Sequence, residues 1–205
     1  LLAKLLTERP VTWKGATRAA LANQRVFPPT GSGALRTWVG VGGTPQSVVR
    51  AARYGFPMML AIIGGDPLSF APLVGLYRRA LAEAGRSIEL PVGAHSPGHV
   101  AATGERAREE AWPHYGAMMT RIGRERGWRP VTRAEYERAA DPDGALFIGA
   151  PQTVAAKIAR VARALDLSRF DLKYSLGTLP HANLMESLRL YANEVAPSVR
   201  RALEE

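Results

Sequence analysis

Two hydroxyls three residues apart, Thr44 and Ser47, stand beside a glycine pair in the run Gly42-Gly43-Thr44-Pro45-Gln46-Ser47. The run follows an apolar β-type segment, Trp38-Val39-Gly40-Val41, and Pro45 occupies a first helical position. A helix N-terminus offers unpaired N–H donors and a partial positive charge, glycine lets backbone approach a ligand, and the hydroxyls add further donors. Gly43, Thr44 and Ser47 together therefore suit the holding of an anion, phosphate above all. A second copy of the pattern, Gly149-Ala150-Pro151-Gln152-Thr153-Val154, lacks the hydroxyl at its cap position, because Ala150 neither caps nor touches an anion.

His95 and His99 are the other residues with chemistry in their spacing. Pro97-Gly98 between them breaks any helix, and no nearby carboxylate supplies a third ligand, so no metal site is expected. His95 at a strand end reads either as a hydrogen-bond donor or proton-transfer group facing a substrate, or as a structural histidine. Other reaction classes find no support. There is no G-x-S-x-G elbow for Ser-His-Asp hydrolysis. Gly40-Val41-Gly42-Gly43 fails the dinucleotide fingerprint at its sixth position, which is Pro45. The absence of cysteine removes disulfides, thiolate metal sites and cysteine nucleophiles.

The elements that must position these residues alternate along the chain. Expected strands at 37–42, 57–63, 91–95 and 169–175 are interleaved with helices at 45–54, 69–84, 151–165 and 181–204. Near-continuous apolar strands such as Met58-Met59-Leu60-Ala61-Ile62-Ile63 point to a parallel sheet covered on both faces. A long helix from Gly104 to Arg126 and a short one opened by Thr132, with Glu135 completing a capping box, form an inserted helical subdomain over about 104–145. Leu146-Phe147-Ile148 is a short apolar segment leading to the next helix. Before the alternation, Pro10 to Gly15 and Arg25-Val26-Phe27 read as extended pieces, and Pro28-Pro29-Thr30-Gly31-Ser32-Gly33 as a loop. Asp66-Pro67 reads as a turn, while Lys173-Tyr174-Ser175 and Gly177 to His181 follow the last strand and are placed to line a pocket, with His181 equally suited to capping the final helix.

The 205 residues suit a single domain, with 46% hydrophobic and 22% charged residues, an ordinary soluble balance. Phe56 to Ile63 is far short of the roughly 20 apolar residues of a membrane helix, and no signal peptide is seen, so no membrane association and a cytoplasmic location are expected. The chain opens with Leu1, in what reads as the tail of a helix already under way, and is expected to be a piece of something longer. A net charge of +9 raises the question of nucleic acid, but the arginines are spread along helix faces beside glutamates, as in Arg106-Ala107-Arg108-Glu109-Glu110, without an aromatic-basic strand motif; no nucleic-acid partner is expected.

In order and spacing, these pieces resemble the C-terminal half of the bacterial-luciferase-like flavin-dependent monooxygenases. They are Val11-Thr12-Trp13-Lys14-Gly15, Pro28-Pro29, Trp38 to Pro45, Ala51-Ala52-Arg53-Tyr54-Gly55, Gly149 to Val154, and Gly177-Thr178-Leu179-Pro180-His181 through Ala196-Pro197. The resemblance implies a (β/α)8 TIM-barrel family fold of which only strands five to eight and the helical insertion are present, since a whole barrel takes about 250 residues. It also implies reduced flavin mononucleotide (FMN) as cofactor, with Gly43, Thr44 and Ser47 on its phosphate, Ala61 and Ile62 beside its ring, and His95 toward the substrate. Oxygenation of a small organic substrate by molecular oxygen, with a flavin reductase as electron source, is the implied activity. A deazaflavin (F420)-dependent oxidoreductase of the same barrel family and a non-enzymatic half-barrel that binds or packs remain alternatives. Two unpaired strand edges would favour a homo-oligomer.

Overall fold

The computed structural model describes residues 1–29 and 35–204. It divides into two compact units, Leu1–Trp38 and Val39–Glu205. The first holds a one-turn helix α1 (Leu2–Leu5) and an antiparallel pair, β1 (Val11–Trp13) with β2 (Leu21–Gln24). The second extended piece thus falls at 21–24 rather than the expected 25–27, and Thr30 to Gly33 of the expected loop lie outside the described residues.

The second unit opens with β3 (Val39–Val41), α2 (Pro45–Tyr54) and β4 (Met58–Ala61). Alpha-helix α2 buries Val48, Ala51 and Ala52 at helical spacing and stops at Gly55, whose φ of +67° gives a left-handed cap with its N–H on the carbonyls of Ala51 and Ala52. A 3₁₀ turn (Pro67–Phe70) leads into α3 (Ala71–Glu83); Asp66 Oδ1 accepts the Leu68 N–H at 2.8 Å, so this aspartate caps a turn, as its sequence context predicts.

Strand β5 (Val92–Val100) is nine residues long and ends five residues beyond the expected 95, because it runs straight through Pro97-Gly98. The register explains how proline is tolerated. The carbonyl of His95 accepts from Ile62 N on the β4 side, so residue 97 also directs its backbone groups to that side, where β4 has ended. Ser96 Oγ donates to Ile62 O at 2.9 Å, filling the acceptor that a proline without an N–H leaves.

Beyond β5 come α4 (Gly104–Arg126), α5 (Arg133–Ala140), β6 (Phe147–Gly149), α6 (Pro151–Ala164), β7 (Arg169–Lys173), α7 (His181–Leu190), a π-helical turn (Tyr191–Val195) and α8 (Ala196–Glu204). The sheet is wholly parallel: β3, β4, β5 and β7 lie side by side, and β6 pairs with the far end of β5. The short apolar segment at 146–148 overlaps this fifth strand, β6, which is too short for its period to show in the sequence. Its pairing requires Gly98, where an added Cβ would sit 2.6 Å from Phe147 O.

Alternation along the strands splits the side chains into two sets. Val41, Met58, Leu60, Ile62, Val92 and Ala94 join α2, α3 and α6 in the main core. A second core lies under the insertion, where Ala107, Ala111 and Tyr115 of α4 meet Tyr136, Leu146 and Ile148. The capping box at α5 is present, Thr132 Oγ1 accepting from Glu135 N and Thr132 N donating to Glu135 Oε2. No helix among the described residues is long and apolar enough to cross a membrane.

Candidate functional site

Because all strands of the sheet run the same way, their carboxyl ends and the following loops gather on one side, where parallel α/β folds place their ligands. The turn after β3 is the first component. Gly43 has a φ of +120°, reachable without strain only by glycine, and nothing lies within 4 Å of where a Cβ on Gly42 or Gly43 would project. Thr44 is the N-cap of α2 in extended conformation, yet its hydroxyl makes no cap bond to the helix. It donates instead to Ser47 Oγ at 2.9 Å. Arg50 Nη2 donates to the same Ser47 Oγ at 3.0 Å. Two hydroxyls, a guanidinium and an open glycine backbone converge at one helix start, a donor set that fits a phosphate dianion. Arg50 escaped the sequence reading, although its position one helical turn beyond Ser47 was a usable signal.

The second component is the row formed by Ala61, His95 and Asp171, in register across β4, β5 and β7. Their side chains share the face opposite the main core, which is where Phe170 and Leu172 of β7 pack. Ala61 and Ile62, expected side by side against a ring, diverge: Ile62 is fully buried in the main core and Ala61 is half-exposed on the open face. Adjacent strand residues point to opposite faces, so only Ala61 of the pair presents its side chain there.

His95 is half-buried on this face. Burial lowers its pKa below the usual imidazole value, Lys173 lowers it further, and Asp171 opposes the shift, so the ring is neutral at pH 7. Asp171 is itself engaged by Arg169 Nε at 2.8 Å. His99 has a different fate. It is fully buried beneath α4, with Nε2 2.9 Å from Glu110 Oε2, and Nδ1 has no partner among the described residues. Arg106 Nε donates to the other Glu110 oxygen at 2.6 Å. Burial works against ionisation of Glu110, but the bonds from His99 and Arg106 more than offset it and hold its pKa below the usual carboxylate range. The two histidines are thus separated in role, one on the open face and one bracing the insertion. No cluster of three potential ligands for a metal ion exists among the described residues.

The segment after β7 contributes differently from one residue to the next. Leu176 is buried in the second core, Gly177 turns the chain at φ +72°, and Thr178 Oγ1 lies 2.9 Å from His114 Nδ1 of α4. Tyr174 is exposed, and His181 is the first residue of α7, with Pro180 at its N-cap. The insertion and the last loop are therefore joined on the carboxyl side of the sheet. The second copy of the pattern, Gly149 to Val154, ends β6 and starts α6: Gly149 pairs with Val100, Pro151 is buried and Ala150 makes no side-chain cap.

Comparison with known proteins fits this arrangement. The sequence model of the luciferase-like monooxygenases matches residues 1–167. No curated protein matches the chain. Among solved structures, monooxygenase RslO1 from Streptomyces bottropensis superposes with a TM-score of 0.71 at 21% identity, covering 96% of this chain and 58% of its own. The oxygenating constituent of 3,6-diketocamphane monooxygenase from the CAM plasmid of Pseudomonas putida, in complex with FMN, follows at 0.65 and 19%, covering 97% and 60%. The coenzyme F420-dependent tetrahydromethanopterin reductase of Methanopyrus kandleri gives 0.67 and 18%, covering 96% and 60%. At these identities the likeness is one of fold, and the chain spans about three-fifths of each of these structures. The match of the family model over residues 1–167, on a chain folded around a parallel α/β sheet, makes this chain a member of the luciferase-like monooxygenase family.

Proposed function

We propose that this chain supplies strands five to eight (β3, β4, β5 and β7) and the insertion of a (β/α)8 flavin-dependent monooxygenase, with short β6 as an addition at the end of β5, and that FMN is held at the turn after β3. The observation that carries the reading is the convergence of Thr44, Ser47 and Arg50 at the open Gly42-Gly43 turn. In it, Gly43 admits the phosphate to the backbone, the Thr44 and Ser47 hydroxyls donate to it, and Arg50 both balances its charge and aligns Ser47. Ala61, small and on the open face, leaves room for a planar ring, and neutral His95 faces the substrate as a hydrogen-bond donor. Bound reduced flavin supplies the activation of oxygen. The protein's own part is to anchor the phosphate, shape the face beside the ring and position a small organic substrate next to it, under cover of the insertion.

A deazaflavin-dependent reductase of the same fold is the second reading, favoured by the likeness to the F420-dependent enzyme. The same phosphate turn would serve both.

The test is a fluorescence titration of the complete protein with FMN and, separately, with riboflavin, which lacks the phosphate. Replacing Thr44→Ala and Ser47→Ala together should weaken FMN binding by on the order of ten- to a hundred-fold, the worth of lost hydrogen bonds to a charged group. Riboflavin binding should stay unchanged. Unaltered FMN affinity in the double variant would refute the assignment. A parallel titration with F420 separates the two readings.

A further inference from the structure

The charges on the open face of the sheet do not cancel. His95 stands in register with Asp171, and Pro97 with Lys173, on the adjacent parallel strands β5 and β7, so His95, Asp171 and Lys173 present their side chains on one face. Arg169, on the same face of β7, occupies Asp171 at 2.8 Å and neutralises it. Lys173, exposed at the carboxyl end of β7, enters no ion pair among the described residues. Its field reaches His95, where it outweighs the opposing effect of Asp171. A lysine without a counter-ion beside a neutral imidazole N–H, at the sheet end where ligands sit, is a receptor for negative charge.

We infer that the substrate pocket selects a small organic anion, with Lys173 supplying the positive charge to its carboxylate and His95 a hydrogen bond. This rests on the reading of the open sheet face as the substrate side of a flavin pocket, but its geometry lies on β5 and β7, away from the turn after β3. An uncharged substrate of the same size would leave Lys173 unpaired and desolvated as it bound, which is the basis of the selectivity.

The experiment is a pair of titrations of the chain without flavin, using hexanoate and 1-hexanol, followed through the imidazole resonances of His95. Hexanoate should bind on the order of ten-fold tighter than hexanol, the usual worth of one charge-assisted hydrogen bond. Lys173→Gln should remove that preference, and Lys173→Arg, which keeps the charge, should restore it. Equal affinity for the two probes, no hexanoate binding, or a preference that survives Lys173→Gln would each overturn the inference. Since no flavin is present, failure of the Thr44 and Ser47 assignment would leave this readout intact, and the two ideas fail separately.

Discussion

Lys157 of α6 carries a pH dependence that can be worked out from its surroundings. The residue is 7% exposed, and its ammonium donates to Asp141 O at 2.6 Å and Leu146 O at 2.8 Å, 4.9 Å from the centre of the Phe147 ring. Burial, with the guanidinium groups of Arg160 and Arg108, pushes its pKa from 10.5 down to about 8, against the opposing carboxylates of Asp141 and Asp143. The neutral amine keeps two N–H donors, so both carbonyls stay satisfied on deprotonation and only the buried charge is lost. The native pKa lies below the unfolded one. The unfolded chain therefore binds more protons between pH 8 and 10.5, and stability rises with pH across that window. By pH 10 the full shift would be worth about 3 kcal/mol at 1.36 kcal/mol per unit, and water reaching the ammonium trims this to about 2 kcal/mol. The assay is urea unfolding followed by helix circular dichroism at pH 7, 8, 9 and 10, for the wild type and Lys157→Met. Tyr77, pushed up to about 12 by burial, and Tyr136, pushed higher still, favour unfolding above pH 10 in both proteins and cancel in the difference. Wild type minus variant should grow by about 2 kcal/mol from pH 7 to pH 10. A flat difference would refute the argument that the buried ammonium is held at an energetic cost.

Three further outcomes are expected. Gly98→Ala should destabilise the chain by about 1–3 kcal/mol in the same unfolding assay, because its Cβ would meet Leu172 Cδ1 at 2.2 Å and Phe147 O at 2.6 Å, and one of these is rigid backbone. Glu110→Ala should cost about 2–3 kcal/mol by leaving buried His99 without its partner, and Glu110→Gln clearly less; since the Glu110 pKa is depressed, the wild-type advantage should be full above pH 4.5 and fade as pH falls below it. Supplied with reduced FMN, the 205-residue chain alone should consume no more oxygen than free flavin does, and an oxygen-electrode trace above that rate would show that its part of the pocket suffices.

How much was legible in the sequence follows from the range of the interactions involved. Helix α2 fell at its expected 45–54, and the capping box at Thr132 and Glu135 was readable, because proline at N1, glycine at the C-terminus and a side-chain-to-backbone cap are local chemistry. The parallel α/β class was readable from apolar strands alternating with amphipathic helices. Strand β6 was not, since three residues carry no period, and the end of β5 was misjudged because Pro97-Gly98 breaks most strands. What allowed it to continue was the end of β4 alongside and the Ser96 hydroxyl, both tertiary facts.

For the site the division is similar. Gly43, Thr44 and Ser47 could be singled out as candidates because a glycine turn and the helix start that follows it are written in consecutive residues. By itself the sequence determined which chemical groups were available: hydroxyls and glycines at one strand end, a histidine at another with a second four residues on, no thiols. Only the tertiary structure decided which way they faced. Strand register put His95 level with Ala61 and Asp171, and alternation sent Ile62 into the core and left Ala61 on the open face. The packing of α4 buried His99 and left His95 open. Helical proximity brought Arg50 onto Ser47, and pairing of Arg169 with Asp171 left Lys173 without a counter-ion among the described residues. The physical reason is that a residue type is a local property, whereas its burial, face and charge environment are set by the neighbours that distant segments bring to it.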